Sequence, residues 1–129
     1  MKEVKAYLKN DLNHYLAQCN RHRSDLLADK VDHLTTLAKE RTTEGIAYAE
    51  NLTLATGKAI QACSDKSRTI LTKVYLQKEL NKQVMVEMGY GSTRYFELKH
   101  IALCEFAKNF EMYLKKYGIG GMKWSIEKT

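Results

Sequence analysis

Proline is absent from this 129-residue chain, and glycine occurs only seven times. Because proline breaks helix interiors and glycine weakens them, a chain short of both favours long helices joined by tight turns. No segment alternates apolar and polar residues for long enough to predict a β-strand, and no run of about twenty apolar residues predicts a membrane span. The charged start, MKEVKAYLKNDL, is unlike a signal peptide. We therefore expect an all-α protein of the cytoplasm that does not enter a membrane.

Cysteine is also scarce. Cys19, Cys63 and Cys104 are odd in number and far apart, so we expect no disulfide framework. Each falls in an apolar helical stripe, and we expect all three to be reduced and packed as small hydrophobic residues. The spacing of His14, Cys19 and His22 fits no tetrahedral zinc pattern, and no catalytic set stands in a recognisable context. We expect neither a metal nor a cofactor, and no enzymatic activity.

Apolar residues at steps of three and four predict a series of amphipathic helices. Residues 4–38 hold two such runs, separated by the polar stretch NRHRS, and the pattern does not decide between one helix and two. Further helices are expected at 46–63, 65–76, 80–88 and 92–117, with breaks at 42–45 and at the SDKS stretch. We divide the chain into an N-terminal helical arm (1–44), a compact helical bundle (45–117) and a flexible glycine-rich tail (118–129).

The segment 81–108 combines a short helix, a glycine turn and a longer helix, as in a DNA-reading helix-turn-helix. Gly89 stands where a left-handed helix end favours a residue without a Cβ atom. Tyr90 is expected to plug the turn and Ser92 to cap the second helix. The inward stripe of that helix follows three- and four-residue steps: Tyr95, Leu98, Ala102, Leu103 and Phe106. A plain helical hairpin has the same pattern and is the alternative.

The outer face of the second helix offers side chains that reach phosphates and base edges. Arg94 is the expected base reader, because its guanidinium can bond O6 and N7 of guanine together; a phosphate contact is the alternative. Glu97 either accepts from a cytosine N4 or pairs along the helix with Arg94 or His100. Phe96 is expected to lie against the core or a neighbouring helix, with an exposed position or a thymine methyl contact as the alternatives. The expected phosphate contacts, with a solvated surface as the alternative for the last three, are Ser92, Thr93, Lys99, His100, Lys73, Lys78 and Lys82.

The formal net charge of +6 is unevenly distributed. Residues 1–64 carry nine basic and eight acidic side chains, whereas residues 65–117 carry ten and six. The excess positive charge therefore lies in the half that holds the expected helix-turn-helix, as phosphate neutralisation requires. A solvated basic surface without a partner would have the same composition, so the charge supports the motif without establishing it.

Several short motifs follow one another in the C-terminal half: SR-x-IL and YL at 67–76, QV-x-x-EMGY at 83–90, YF-x-LK at 95–99 and AL-x-EFA at 102–107. With this spacing, residues 60–110 resemble region 4 of sigma factors. More closely, they resemble the ArpU-like (autolysin regulatory protein) family of phage late-transcription regulators, which is related to the RinA-like activators. The resemblance implies a cytoplasmic, DNA-binding transcription regulator of phage or prophage late genes for packaging, morphogenesis and lysis.

The expected partners are double-stranded DNA and RNA polymerase. The arm at 1–44 can pack on the bundle or pair with a second copy; since helix-turn-helix regulators are often dimers, we favour a homodimer through the arm. Two other functions stay open. One is a phage DNA-packaging component that resembles a small terminase subunit, and the other is a helical protein-interaction module that makes no DNA contact.

Overall fold

A computed structural model of the protein describes residues 1–34 and 44–119, without the side chain of Glu44. All regular structure in these two ranges is helical, as the sequence predicted, and neither range contains a strand. A proline-free sequence with apolar residues at steps of three and four favours helices throughout.

The first helix, α1, is continuous from residue 2 to residue 18. It consists of Lys2–Ala6, a π turn at Tyr7–Asp11, and Leu12–Gln18. After α1, the prediction of a second helix is wrong up to residue 34. Two 3₁₀ turns, Arg23–Leu26 and Val31–His33, form there instead. The remainder of that predicted helix, at 35–38, lies outside the described residues.

Four more helices follow, close to the predicted positions. They are α2 (Glu44–Gln61), α3 (Asp65–Leu71, extended by a π turn at Thr72–Leu76), α4 (Asn81–Met88) and α5 (Ser92–Lys116). The predicted break at 42–45 does not include Gly45, which lies inside α2; residues 42 and 43 are outside the described ranges.

The main core joins α1 to α2 and α5. The apolar stripe of α1 is buried there together with the aromatic side chains of α5: Val4, Leu8, Leu12, Leu16, Phe106 and Phe110. The buried hydroxyl groups of Tyr7 and Thr56 lie 2.7 Å apart, and the Thr56 hydroxyl donates in turn to the Leu52 carbonyl. Residues 1–34 therefore share one core with the bundle and do not form an independent arm.

The C-terminal end of α5 is fixed to this core. Gly118 takes the left-handed conformation (φ +76°), and the N–H of Ile119 donates to the Leu114 carbonyl at 2.8 Å. Ile119 is itself buried. The predicted flexible tail is therefore wrong for residues 118 and 119, whereas 120–129 lie outside the described residues.

Candidate functional site

The turn between α4 and α5 has the geometry that the sequence predicted. Gly89 adopts the left-handed conformation (φ +75°, ψ 26°), which ends α4. The next N–H, of Tyr90, donates to the Met85 carbonyl at 3.2 Å. The predicted cap is wrong by one residue: Gly91 holds the extended N-cap conformation, and Ser92 is the first residue of α5. Within residues 1–34 and 44–119, no side chain caps the N–H groups of the first turn of α5.

A second, small core fixes the angle between α4 and α5. Its buried members come from three helices, and Tyr90 packs against them as the predicted plug: Ile70, Val84, Tyr95 and Leu98. The Tyr95 hydroxyl donates to Asn81 Oδ1 at 2.8 Å, which ties α5 to the first residue of α4. Burial raises the pKa of Tyr95 to about 12, so this donor stays protonated.

The opposite face of α5 is exposed over its first turns and carries most of the predicted contacts: Ser92, Thr93, Arg94, Glu97 and His100. The predicted intrahelical pair forms, with Arg94 Nη1 3.2 Å from Glu97 Oε2. Both side chains are more than half exposed (55% and 58%), so water screens the pair and it contributes little to stability. Arg94 can therefore exchange Glu97 for another anion at small cost.

Lys82 and Lys78 are exposed, as predicted, but Lys73 is not a free cation. Lys73 Nζ lies 2.9 Å from Glu87 Oε2 and 3.9 Å from Glu79 Oε2. Hydrogen bonding with Glu79, and then with Lys73, lowers the pKa of Glu87. A phosphate would have to displace this carboxylate, so the predicted role of Lys73 as a phosphate clamp loses its support.

Lys99 is the clearest error among the predicted contacts. It is 8% exposed, and its ammonium nitrogen lies 5.5 Å from the ring centroid of Tyr75. The residue follows Tyr95 by four positions and precedes Leu103 by four, so it belongs to the inward stripe of α5. It therefore points away from the exposed face on which DNA contacts were expected.

Two apolar side chains on the outer face of α5 were not predicted there. Phe96 is 48% exposed and Ile101 47% exposed. With Ser92, Thr93 and His100 they line a shallow groove along the helix. The expectation that Phe96 packs against the core is wrong; its ring touches only the edge of that region, 5.0 Å from the Tyr95 ring.

Glu105 has a role that sequence reasoning missed. Its carboxylate accepts from the Ser64 N–H (2.9 Å), the Ser64 hydroxyl (3.0 Å) and the Ser67 hydroxyl (2.6 Å). Burial works against the charged form, but these hydrogen bonds outweigh it and lower the pKa of Glu105. A side chain of α5 thus caps the N-terminus of α3, where Ser64 makes no cap bond of its own.

The three cysteines differ in their surroundings. Cys63 is buried, and burial raises the pKa of its thiol to about 11. Cys19 is half-buried, whereas Cys104 is exposed, with its sulfur 3.7 Å from His100 Nε2; the expectation of packing is wrong for Cys104. In residues 1–34 and 44–119, no three His, Cys, Asp or Glu side chains are placed to hold a metal ion.

No family model, curated protein or solved structure matches this chain. None of the helices in the described ranges is both long enough and apolar enough to cross a bilayer. What bears on function is the geometry of α4 and α5 and the chemistry of the exposed side chains of α5.

Proposed function

We propose that the protein is a sequence-specific DNA-binding transcription regulator, in which α4 and α5 act as a helix-turn-helix and the start of α5 enters the major groove. The observation that carries the proposal is the exposed polar row on the first turns of α5, held outward by the Gly89 turn and the small core. A helix about 10–12 Å across matches a major groove about 12 Å wide.

The first turn of α5 is suited to a phosphate. Gly91 supplies no capping side chain, so the first N–H groups of the helix have no side-chain partner in the described residues. Such groups, with the positive end of the helix dipole, favour an anion. Ser92 and Thr93 add exposed hydroxyl donors beside them. We assign these residues to the DNA backbone.

Arg94 is assigned to a base edge, and Lys82 and His100 to phosphates. In the free protein Arg94 pairs with Glu97, and on binding Arg94 exchanges this carboxylate for a guanine. Lys99 and Lys73 are left out, since the first is buried and the second is paired with Glu87. Through the resemblance of residues 60–110, the proposal extends to phage or prophage late genes, a cytoplasmic location and RNA polymerase as a second partner.

The decisive experiment measures fluorescence anisotropy of the full chain on duplexes from its own genomic neighbourhood, with random competitor DNA, at two salt concentrations. We expect Arg94→Ala to weaken binding to the preferred fragment by about 1–3 kcal/mol and to leave random DNA almost unaffected. Lys82→Ala should weaken all duplexes alike and reduce the salt slope by about one. The matched control is Lys108→Ala, an exposed lysine in the distal half of α5.

Equal losses on preferred and random DNA for Arg94→Ala would remove its base-reading role. Weak binding that disappears on every fragment as salt rises would leave only a basic helical surface. A ring of many subunits, detected by light scattering after size exclusion, would instead favour the packaging component. The apolar stripe of α1 is buried within the chain, so a homodimer through that stripe is not part of the proposal.

A second function is favoured by one observation, the exposed pair Phe96 and Ile101 on the same face. Exposed aromatic and aliphatic side chains beside a polar rim also suit a protein partner. If the full chain binds no duplex at low salt, the outer face of α5 is better explained as a protein-binding surface. Phe96→Ala would then abolish capture of purified RNA polymerase, the partner named above.

A further inference from the structure

A cavity of about 400 Å³ lies on the inner side of α5, away from the polar row. Its walls come from α1, the π turn that ends α3, the start of α4, and α5. Four lysines line it: Lys5, Lys9, Lys78 and Lys99. Lys5, Lys9 and Lys78 are exposed, so water screens their charges, but four lysines at one pocket still give it a positive potential that favours an anion. We call this cavity the lysine pocket.

Lys99 forms the buried wall of the lysine pocket. It is more than nine-tenths buried, and within the described part of the chain its side chain forms neither an ion pair nor a hydrogen bond. Its ammonium nitrogen lies 5.5 Å from the centroid of the Tyr75 ring. Burial, and then the charges of Lys5 and Lys9, lower the pKa of Lys99. A buried cation is stabilised by an anion beside it, so the wall at Lys99 favours an anionic ligand.

Glu79 is the one carboxylate among the residues that line the pocket, against four lysines. Its Oε2 atom lies 3.9 Å from Lys73 Nζ, so its charge is shared with a lysine outside the pocket. Hydrogen bonding with Glu87, followed by burial, raises the pKa of Glu79. The backbone of Lys78 is left-handed (φ +59°), a strained conformation that lysine rarely adopts. The pocket therefore keeps a positive excess.

The walls of the lysine pocket are held in place by Arg23. Its guanidinium donates to the Leu8 carbonyl at 2.7 Å and to the Tyr75 carbonyl at 2.8 Å. These carbonyls lie in the π turns of α1 and α3, and both turns line the pocket. Single π turns inside helices are uncommon and often mark functional sites. Arg23 thus holds together the two turns that line the pocket.

We propose that the lysine pocket binds a phosphate group, with Lys99 contacting it from the buried wall and Lys5, Lys9 and Lys78 closing around it. The first N–H groups of α4 add to the site, because Leu80 at the N-cap provides no side-chain bond to them. Lysine ammonium groups act as compact charges that suit a polyvalent anion. The site is separate from the outer face of α5, so it does not depend on the proposed DNA reading.

The size of the cavity favours an organic phosphate. Its volume lies in the range of small-molecule sites, and one phosphate group would not fill it. The Tyr75 ring and the side chains of Leu8, Val74 and Leu80 supply an apolar wall for the rest of such a ligand. A backbone phosphate of DNA has the same anionic chemistry, and the experiment separates the two sources.

Isothermal titration of the full chain with ATP, inorganic phosphate and uncharged adenosine tests the proposal. We expect ATP to bind and adenosine not to bind. Lys99→Met should lower the affinity for ATP at least about tenfold, the loss typical of one hydrogen bond to a charged group. The same variant should melt no lower than the parent, because methionine replaces a buried, unpaired charge. A residue with only a structural role would show the opposite pattern.

Lys78→Gly provides the second variant. It removes an ammonium group and also relieves the left-handed backbone, so ATP affinity should fall while thermal stability does not. Lys108→Met, on the exposed part of α5, is the matched control and should change neither. If Lys99→Met fails to fold, Lys78→Gly still decides the question.

The salt dependence of DNA binding identifies the source of the phosphate; the salt slope is the slope of the logarithm of the binding constant against the logarithm of salt concentration. A slope reduced by about one in Lys99→Met and Lys78→Gly, without ATP binding, assigns the pocket to a DNA phosphate. ATP binding with an unchanged slope assigns it to a free organic phosphate, and this result stands even if the protein binds no DNA. The proposal is overturned if neither ATP affinity nor salt slope responds to these variants, or if Lys108→Met has the same effect as Lys99→Met.

Discussion

Gly57 lies in the middle of α2, and replacing it with alanine should destabilise the protein. A Cβ atom there would lie 2.5 Å from Val31 Cγ2 and 3.3 Å from Leu26 Cδ2, both buried. The 3₁₀ turn that carries Val31 is tied to α2, because Asp32 pairs with Lys58 and accepts from Gln61. Overpacking typically costs about 1–3 kcal/mol, against a helix-propensity gain of about 0.5–1 kcal/mol. We expect a net loss of about 1 kcal/mol.

The assay is thermal and urea unfolding followed by circular dichroism, with a drop in Tm of about 2–8 °C per kcal/mol. Gly45→Ala is the matched control: it lies near the start of the same helix with no described atom within 4 Å of its Cβ position, so it should not destabilise the protein. In the Gly57→Ala background, Val31→Ala should cost about 1 kcal/mol less than in the parent. Stabilisation by Gly57→Ala would refute the reasoning, because it would show that the 3₁₀ turn at Val31 moves aside without a free-energy cost.

Two further predictions concern the cap at Glu105 and the turn at Gly89. The folded-state pKa of Glu105 is lowered, so its stabilising contribution is present above the ordinary value of 4.5 and is lost as pH falls through the lower folded value. Glu105→Ala should lower the free energy of unfolding by about 1.5–3 kcal/mol at neutral pH and should make that free energy less sensitive to acid. Glu111→Ala is the control and should do neither. Gly89→Ala should cost about 1–2 kcal/mol through its φ of +75°. Gly91→Ala, with φ −74°, needs no left-handed backbone and should cost less, because its only penalty is the poorer N-cap preference of alanine; urea midpoints measure both variants.

Helix positions could be predicted because the signal is local. The stripe of α5 at three- and four-residue steps identified its buried side chains, and Gly89 identified the left-handed end of α4. The same rule failed at 27–34, where Leu27, Val31 and Leu34 have helical spacing but lie around 3₁₀ turns. Leu26 and Val31 instead pack against the backbone of α2 at Gly57, a tertiary contact that no local pattern reveals.

The candidate site was less predictable, because charge is an unreliable sign of exposure. Lys99 lies on the inward stripe by its spacing, whereas its charge favours the outer face. The aromatic ring of Phe96 favours the interior, but this side chain is half exposed. The cap at Glu105 and the lysine pocket join residues from helices far apart in sequence, so only the tertiary structure brings them together.

The length of α5 explains how one helix serves these different surfaces. Its 25 residues span about 37 Å at 1.5 Å per residue, enough to reach both cores. The first half covers the small core, and the second half is buried with α1 and α2 in the main core, while Glu105 between them caps α3. The exposed row at the start of α5 is therefore anchored to the whole protein. Lys99, on the reverse side of that same segment, places the lysine pocket directly behind the surface that we propose reads DNA.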